Sequence, residues 1–160
     1  MSMSKGNSSR HSFIRFLFVV YGLAMLWLLF GRPQGWVDGL TYKEMLQQNV
    51  NLTPLLTIKN YWQVVQHSSN PDLLRHCLIN LAGNVVLFIP IGYWLVRLWP
   101  RFRNFFLFAA TCAGMILLIE TLQLFTLLGC FDVDDIILNL SGMTVGYFLC
   151  LLFHHKKSRF

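Results

Sequence analysis

Acidic residues are scarce in this chain: seven in 160, against thirteen lysines and arginines, and four of the seven fall between Glu120 and Asp135. Cysteine is scarce too, and four cysteines are too few for a disulfide scaffold. There is no G-x-S-x-G elbow, phosphate loop, HExxH motif or EF-hand loop, which leaves no nucleophile to name and no fixed-spacing metal motif. Internal repeats are absent, excluding a solenoid. A basic soluble face is missing as well, so the net charge of +6 does not point to nucleic acid.

What the chain has in abundance is apolar surface. Over half of its residues are hydrophobic, 55%, with a mean hydropathy of +0.52, too apolar for an ordinary soluble domain. Crossing a bilayer takes about 20 apolar residues in a helix. Phe13 to Phe30, Leu78 to Trp99, Phe105 to Leu128 and Ile136 to Phe153 come close, predicting an all-α polytopic membrane protein with four transmembrane helices. The first run follows Lys5, Arg10 and Arg15 as a secretory signal would, but Gly31-Arg32-Pro33 offers no cleavage site, so it reads as a retained anchor.

Basic flanks stay cytoplasmic. Lys5, Arg10 and Arg15 precede helix 1, Arg97, Arg101 and Arg103 lie at the turn between helices 2 and 3, and Lys156, Lys157 and Arg159 follow helix 4. All three clusters share one face, which puts both termini inside. The organisation expected is a disordered cytoplasmic tail over 1–12, a membrane domain over 13–153 and a basic cytoplasmic tail over 154–160. The long outer loop between helices 1 and 2 is partly helical by the same reasoning. Thr41-Tyr42-Lys43-Glu44 has capping-box spacing, Ile58 to Gln66 reads as an interfacial segment, and Asn70-Pro71 starts helix 2.

Polar residues inside the spans are placed by depth. Asn80 and Asn84 lie one turn apart in the outer half of helix 2, with His76 above them; Glu120 and Gln123 lie in the outer half of helix 3. Asp135, Asn139, Gly142 and Gly146 form one stripe down helix 4. Polar groups facing lipid are costly, so these three faces should turn toward each other. Expected is an outward-facing polar pocket of Asn80, Asn84, Glu120, Gln123, Asp132, Asp135 and Asn139.

Simpler roles stand beside that one. Asp132 can cap helix 4, with Asp134 and Asp135 as first-turn acids; Gly142-x-x-x-Gly146 is a packing stripe, Gly83 and Gly92 serve the same close packing, and Pro90 bends helix 2. Oxygen ligands would suit a hard cation, yet without a metal motif neither metal nor cofactor is expected. Glu120 and Asp135 are the candidates should any acid/base step occur. Cys112 and Cys150 read as small apolar residues, and Cys77 and Cys130, at outer helix ends, are expected to remain unbridged given the tight geometry a disulfide requires.

Four ordered motifs resemble the VanZ-like family of bacterial membrane proteins: Asn51-Leu52-Thr53-Pro54; Asn80-x-x-Gly83-Asn84-x-x-x-Phe88-x-Pro90-x-Gly92; Glu120-x-x-Gln123; and Asp132-x-Asp134-Asp135-x-x-x-Asn139-x-x-Gly142-x-x-x-Gly146. Many members carry an arginine just before the aspartates, where this chain has Gly129-Cys130-Phe131 and supplies no cation. The resemblance implies a protein of the bacterial cytoplasmic membrane that lowers susceptibility to lipoglycopeptides such as teicoplanin, or acts otherwise in the cell envelope. Its pocket would take a membrane lipid, a lipid-linked cell-wall precursor or a membrane-protein partner, with or without homo-oligomerisation. The alternatives are an intramembrane enzyme acting on a cell-wall lipid and a small proton-coupled carrier.

Overall fold

The computed structural model describes the backbone of residues 3–31 and 39–157, and the side chains of residues 12–31 and 39–153. Four helical stretches are long and apolar enough to cross a membrane: Ser12–Phe30, Pro71–Leu98, Phe105–Thr126 and Val133–Phe153. The first belongs to α1 (Met3–Phe30), whose helical backbone begins within the segment for which disorder is expected; the side chains of residues 1–11 and 154–160 lie outside the described residues. The connection between the first and second spans supplies α2 (Tyr42–Gln48) and α3 (Leu56–His67). The capping box is formed, with the Thr41 N–H donating to Glu44 Oε2 at 2.7 Å and the Glu44 N–H to Thr41 Oγ1 at 3.4 Å.

The second span is two helices, α4 (Pro71–Val86) and α5 (Ile89–Leu98). Asn70 caps α4, its Oδ1 accepting from the N–H groups of Asp72 and Leu73 at 3.0 and 3.3 Å. The break falls at Leu87 and Phe88 because Pro90 has no N–H to continue the ladder and its ring crowds the preceding turn. At the break the Tyr21 hydroxyl donates to the Leu87 carbonyl at 2.8 Å, so a side chain from α1 meets a backbone oxygen there.

A 3₁₀ turn over Pro100–Arg103 leads into α6 (Phe105–Thr126), which ends where Leu127 turns left-handed at φ 53°. The final helix, α7 (Val133–Lys157), packs against α4, α5 and α6 and is the central post of the fold. Close approach is what its glycines permit: a Cβ on Gly142 would overlap the Val85 carbonyl of α4, and one on Gly146 the Ile89 carbonyl of α5. From α5, Gly92 meets the Met143 carbonyl of α7 in the same way. Gly83 corrects the expectation of close packing: a Cβ there meets nothing within 4 Å, so no neighbouring helix requires that side chain to be missing. Phe88, Val96, Phe108, Cys112, Ile116, Met143 and Cys150 fill the core between these helices.

Two short strands complete the fold. β1 (Val50–Asn51) pairs in parallel with β2 (Phe131–Asp132), Val50 opposite Phe131 and Asn51 opposite Asp132, and the Phe131 N–H adds a bond to the Asn49 carbonyl at 2.8 Å. This pair fastens the loop between the first and second spans to the start of α7.

Candidate functional site

A cavity of about 560 Å³ opens between α3, α4, α6 and α7, and Asn80, Asn84, Glu120, Gln123, Asp132, Asp135 and Asn139 all line it. Local sequence explains why they converge. Asn80 and Asn84 share a face of α4, Glu120 and Gln123 a face of α6, and Asp135 and Asn139 a face of α7. Leu28 and Leu29 of α1, with Leu128, form the apolar part of the wall.

Each carboxylate has its own partners. Asp135 Oδ1 accepts from the Asn84 amide at 2.5 Å, joining α7 to α4 across the cavity. Glu120 is 2% exposed, and its Oε2 receives the Asp132 N–H at the long distance of 3.5 Å. Asp132 caps its own helix as expected, accepting the Asp134 N–H at 2.8 Å, and also holds the outer loop. The Thr57 hydroxyl donates to its Oδ2 at 2.6 Å and the Asn51 amide to its Oδ1 at 3.2 Å.

Asp134 stands in the first turn of α7 as expected, but its oxygens serve another helix. Fully buried, it accepts the Leu55 N–H at 2.5 Å and the Ile58 N–H at 3.1 Å, so it caps α3 and not its own helix. The reason lies at Leu55, which stands at the N-cap position of α3 with φ 64° and has no side chain able to accept a hydrogen bond. A carboxylate from a distant segment supplies the missing cap and the negative charge that a helix N-terminus favours.

Gln123 spends its amide on the Leu29 carbonyl at 3.0 Å and thereby ties α6 to the end of α1. Among the described residues two buried acceptors stand without partners, Asn80 Oδ1 and Asn139 Oδ1. Asn139 is 2% exposed and is the more deeply enclosed of these two residues on the cavity wall.

The sequence does not assign Thr57 or Tyr61 to this site, and places His76 only above Asn80 and Asn84. All three line the cavity; His76 is exposed, and its ring meets Tyr61 edge-on at 6.0 Å. Burial, then the charge of Asp135, holds the Tyr61 phenol above its usual range. The signal available was the amphipathic run of α3, which gives no indication of the segment it will face. Cys130 donates its thiol to Asn49 Oδ1 at 3.2 Å, and Cys77 is buried and unbridged. Among the described residues no three His, Cys, Asp or Glu side chains gather closely enough to hold a metal ion.

The arrangement offers hydrogen-bond acceptors and three carboxyl groups at one end of a membrane-spanning helical bundle, facing a hollow large enough for a small polar group. Comparison with known proteins adds the family. No curated protein and no solved structure matches the chain, but the family model described as VanZ/LLP1 matches residues 18–154. That match covers all but a short stretch at each end, takes in every residue of the cavity, and agrees with the four spanning helices: the chain is a multi-pass membrane protein belonging to the VanZ/LLP1 family.

Proposed function

We propose that this protein lowers susceptibility to lipoglycopeptide antibiotics in the bacterial cytoplasmic membrane by holding the headgroup of a lipid, or of a lipid-linked cell-wall precursor, in its polar cavity. The observation that carries the reading is the cavity itself, where side chains of α3, α4, α6 and α7 converge on one hollow bordered by apolar residues of α1. Polar and ionisable groups at membrane depth are expensive to keep, and a binding role accounts for them better than packing does. With both termini cytoplasmic, as the basic flanks favour, the cavity opens toward the outer leaflet. That is where precursor headgroups are displayed and where an acylated drug is anchored.

The test is expression in a sensitive Gram-positive host, with susceptibility to teicoplanin, whose acyl chain anchors it, measured beside vancomycin, which lacks the chain. Protection should be greater against teicoplanin. Asp135→Asn should abolish it while the protein still reaches the membrane. Equal protection against both drugs, or none at confirmed expression, would remove the resistance reading.

A further inference from the structure

We infer that the cavity recognises a primary ammonium group, carried by the headgroup of an amine-bearing membrane lipid; the inference rests on the lipid-binding reading above and names the ligand's chemistry. Charge is the first ground. Glu120, Asp132 and Asp135 all line the cavity, and among the described residues no lysine or arginine lines it. The donors that reach these carboxylates are neutral: the Asn84 amide on Asp135, the Thr57 hydroxyl and Asn51 amide on Asp132, and a backbone N–H on Glu120.

The second ground is independent of charge. Asn139 Oδ1 and Asn80 Oδ1 are buried acceptors that no donor among the described residues reaches, on the same wall as the carboxylates. Buried carbonyl oxygens without a donor are destabilising, and a group rich in N–H bonds relieves them. Three of the wall's own donors are committed, Asn84 to Asp135, Thr57 to Asp132 and Gln123 to Leu29.

Chemistry then narrows the class. A ligand of neutral hydroxyls would satisfy the amide oxygens and leave the carboxylates unbalanced. A quaternary ammonium balances charge but brings no N–H donor. A divalent ion needs its ligands gathered, and among the described residues they are not. A primary ammonium supplies one positive charge and three donors in a compact group, meeting both needs. Leu28, Leu29 and Leu128 give its alkyl stem an apolar border.

The experiment reconstitutes the full chain in nanodiscs containing equal parts phosphatidylethanolamine, phosphatidylcholine and phosphatidylglycerol, and weighs the lipids retained on release by native mass spectrometry. Phosphatidylethanolamine should be enriched about tenfold over each of the others. Glu120→Gln and Asp135→Asn, both close in shape to the native residues, should each reduce that enrichment while the melting temperature shows the protein folded. Should either variant fail to fold, the wild-type enrichment still decides. Free ethanolamine added in excess distinguishes the source: displacement of the lipid means that the ammonium alone is recognised, and selective retention without displacement means that the lipid carries it. Equal retention of the ethanolamine and choline lipids, preference for the glycerol lipid, or full selectivity in both variants would overturn the ammonium assignment while leaving a lipid site standing. Retention matching the bulk bilayer would overturn both readings.

Discussion

At Asp134 a carboxylate with no exposure to solvent meets two backbone N–H groups belonging to another helix. Removing it with Asp134→Ala leaves both donors short of a partner at a left-handed leucine, a conformation that itself costs roughly 1–2 kcal/mol. The expected loss is about 1–3 kcal/mol of stability, read as a lower melting temperature in detergent, with Asp134→Asn falling between because one acceptor survives. Asp135, its neighbour in sequence, should behave in the opposite way. Asp135→Asn keeps an oxygen for the Asn84 amide, so stability should change by no more than about 0.5 kcal/mol while protection against teicoplanin disappears. Glu120 separates the same two roles once more. If it acts by shape and hydrogen bonding, Glu120→Gln should preserve protection and Glu120→Ala should lower membrane abundance. Loss of protection in Glu120→Gln at normal abundance would assign the work to its charge or its proton, and the ammonium assignment expects that outcome.

Among the elements, the glycines of the bundle divide by what a methyl group would meet. Gly142→Ala drives a Cβ into the Val85 carbonyl and must push α7 away from α4, at an expected cost of about 1–3 kcal/mol. Gly83→Ala adds the same methyl where nothing lies within 4 Å and should raise stability by about 0.5–1 kcal/mol through better helix propensity. Paired melting curves decide it, and a matching loss in both would show that α4 is packed more tightly than this structure has it. Much of this level was legible beforehand. The long apolar runs announce the spans, Asn70-Pro71 the start of α4, Thr41 and Glu44 the capping box, and spacings of three and four residues the polar faces. Each of those signals is local. The β1 and β2 pair was not legible, since strands of two residues carry no periodicity, and neither was Asp134 capping α3 from 76 to 79 positions away. The first-turn position of Asp134 favours a cap on its own helix, and only the facing of two distant segments redirects it.

For the whole molecule, orientation is tested most directly through cysteine. Cys130 is exposed while Cys77, Cys112 and Cys150 are buried, so a membrane-impermeant thiol reagent has essentially one target among the described residues. Intact cells should be labelled at Cys130, and a reporter fused after Phe160 should stay cytoplasmic; labelling only after permeabilisation would invert the topology. The cap that α7 lends to α3 also sets an order in time. During synthesis α3 leaves the ribosome well before residue 134 exists, so its first turn, and the strand pairing beside it, must wait for the last helix to insert. Until then the loop has the Thr41 capping box, the Asn70 cap and the bonds of Asn51 to Thr53 and Thr57 to shape it, but lacks Asp132 and Asp134 to moor Asn51 and Leu55 to the bundle. A nascent chain halted at Gly129 should therefore be cut by protease between Asn51 and Ile58, and the completed chain should resist at the same bonds. On this account the mouth of the cavity is the last part of the protein to take shape, and a translation product halted at Gly129 would reach the membrane with its first three spans in place and no site to offer.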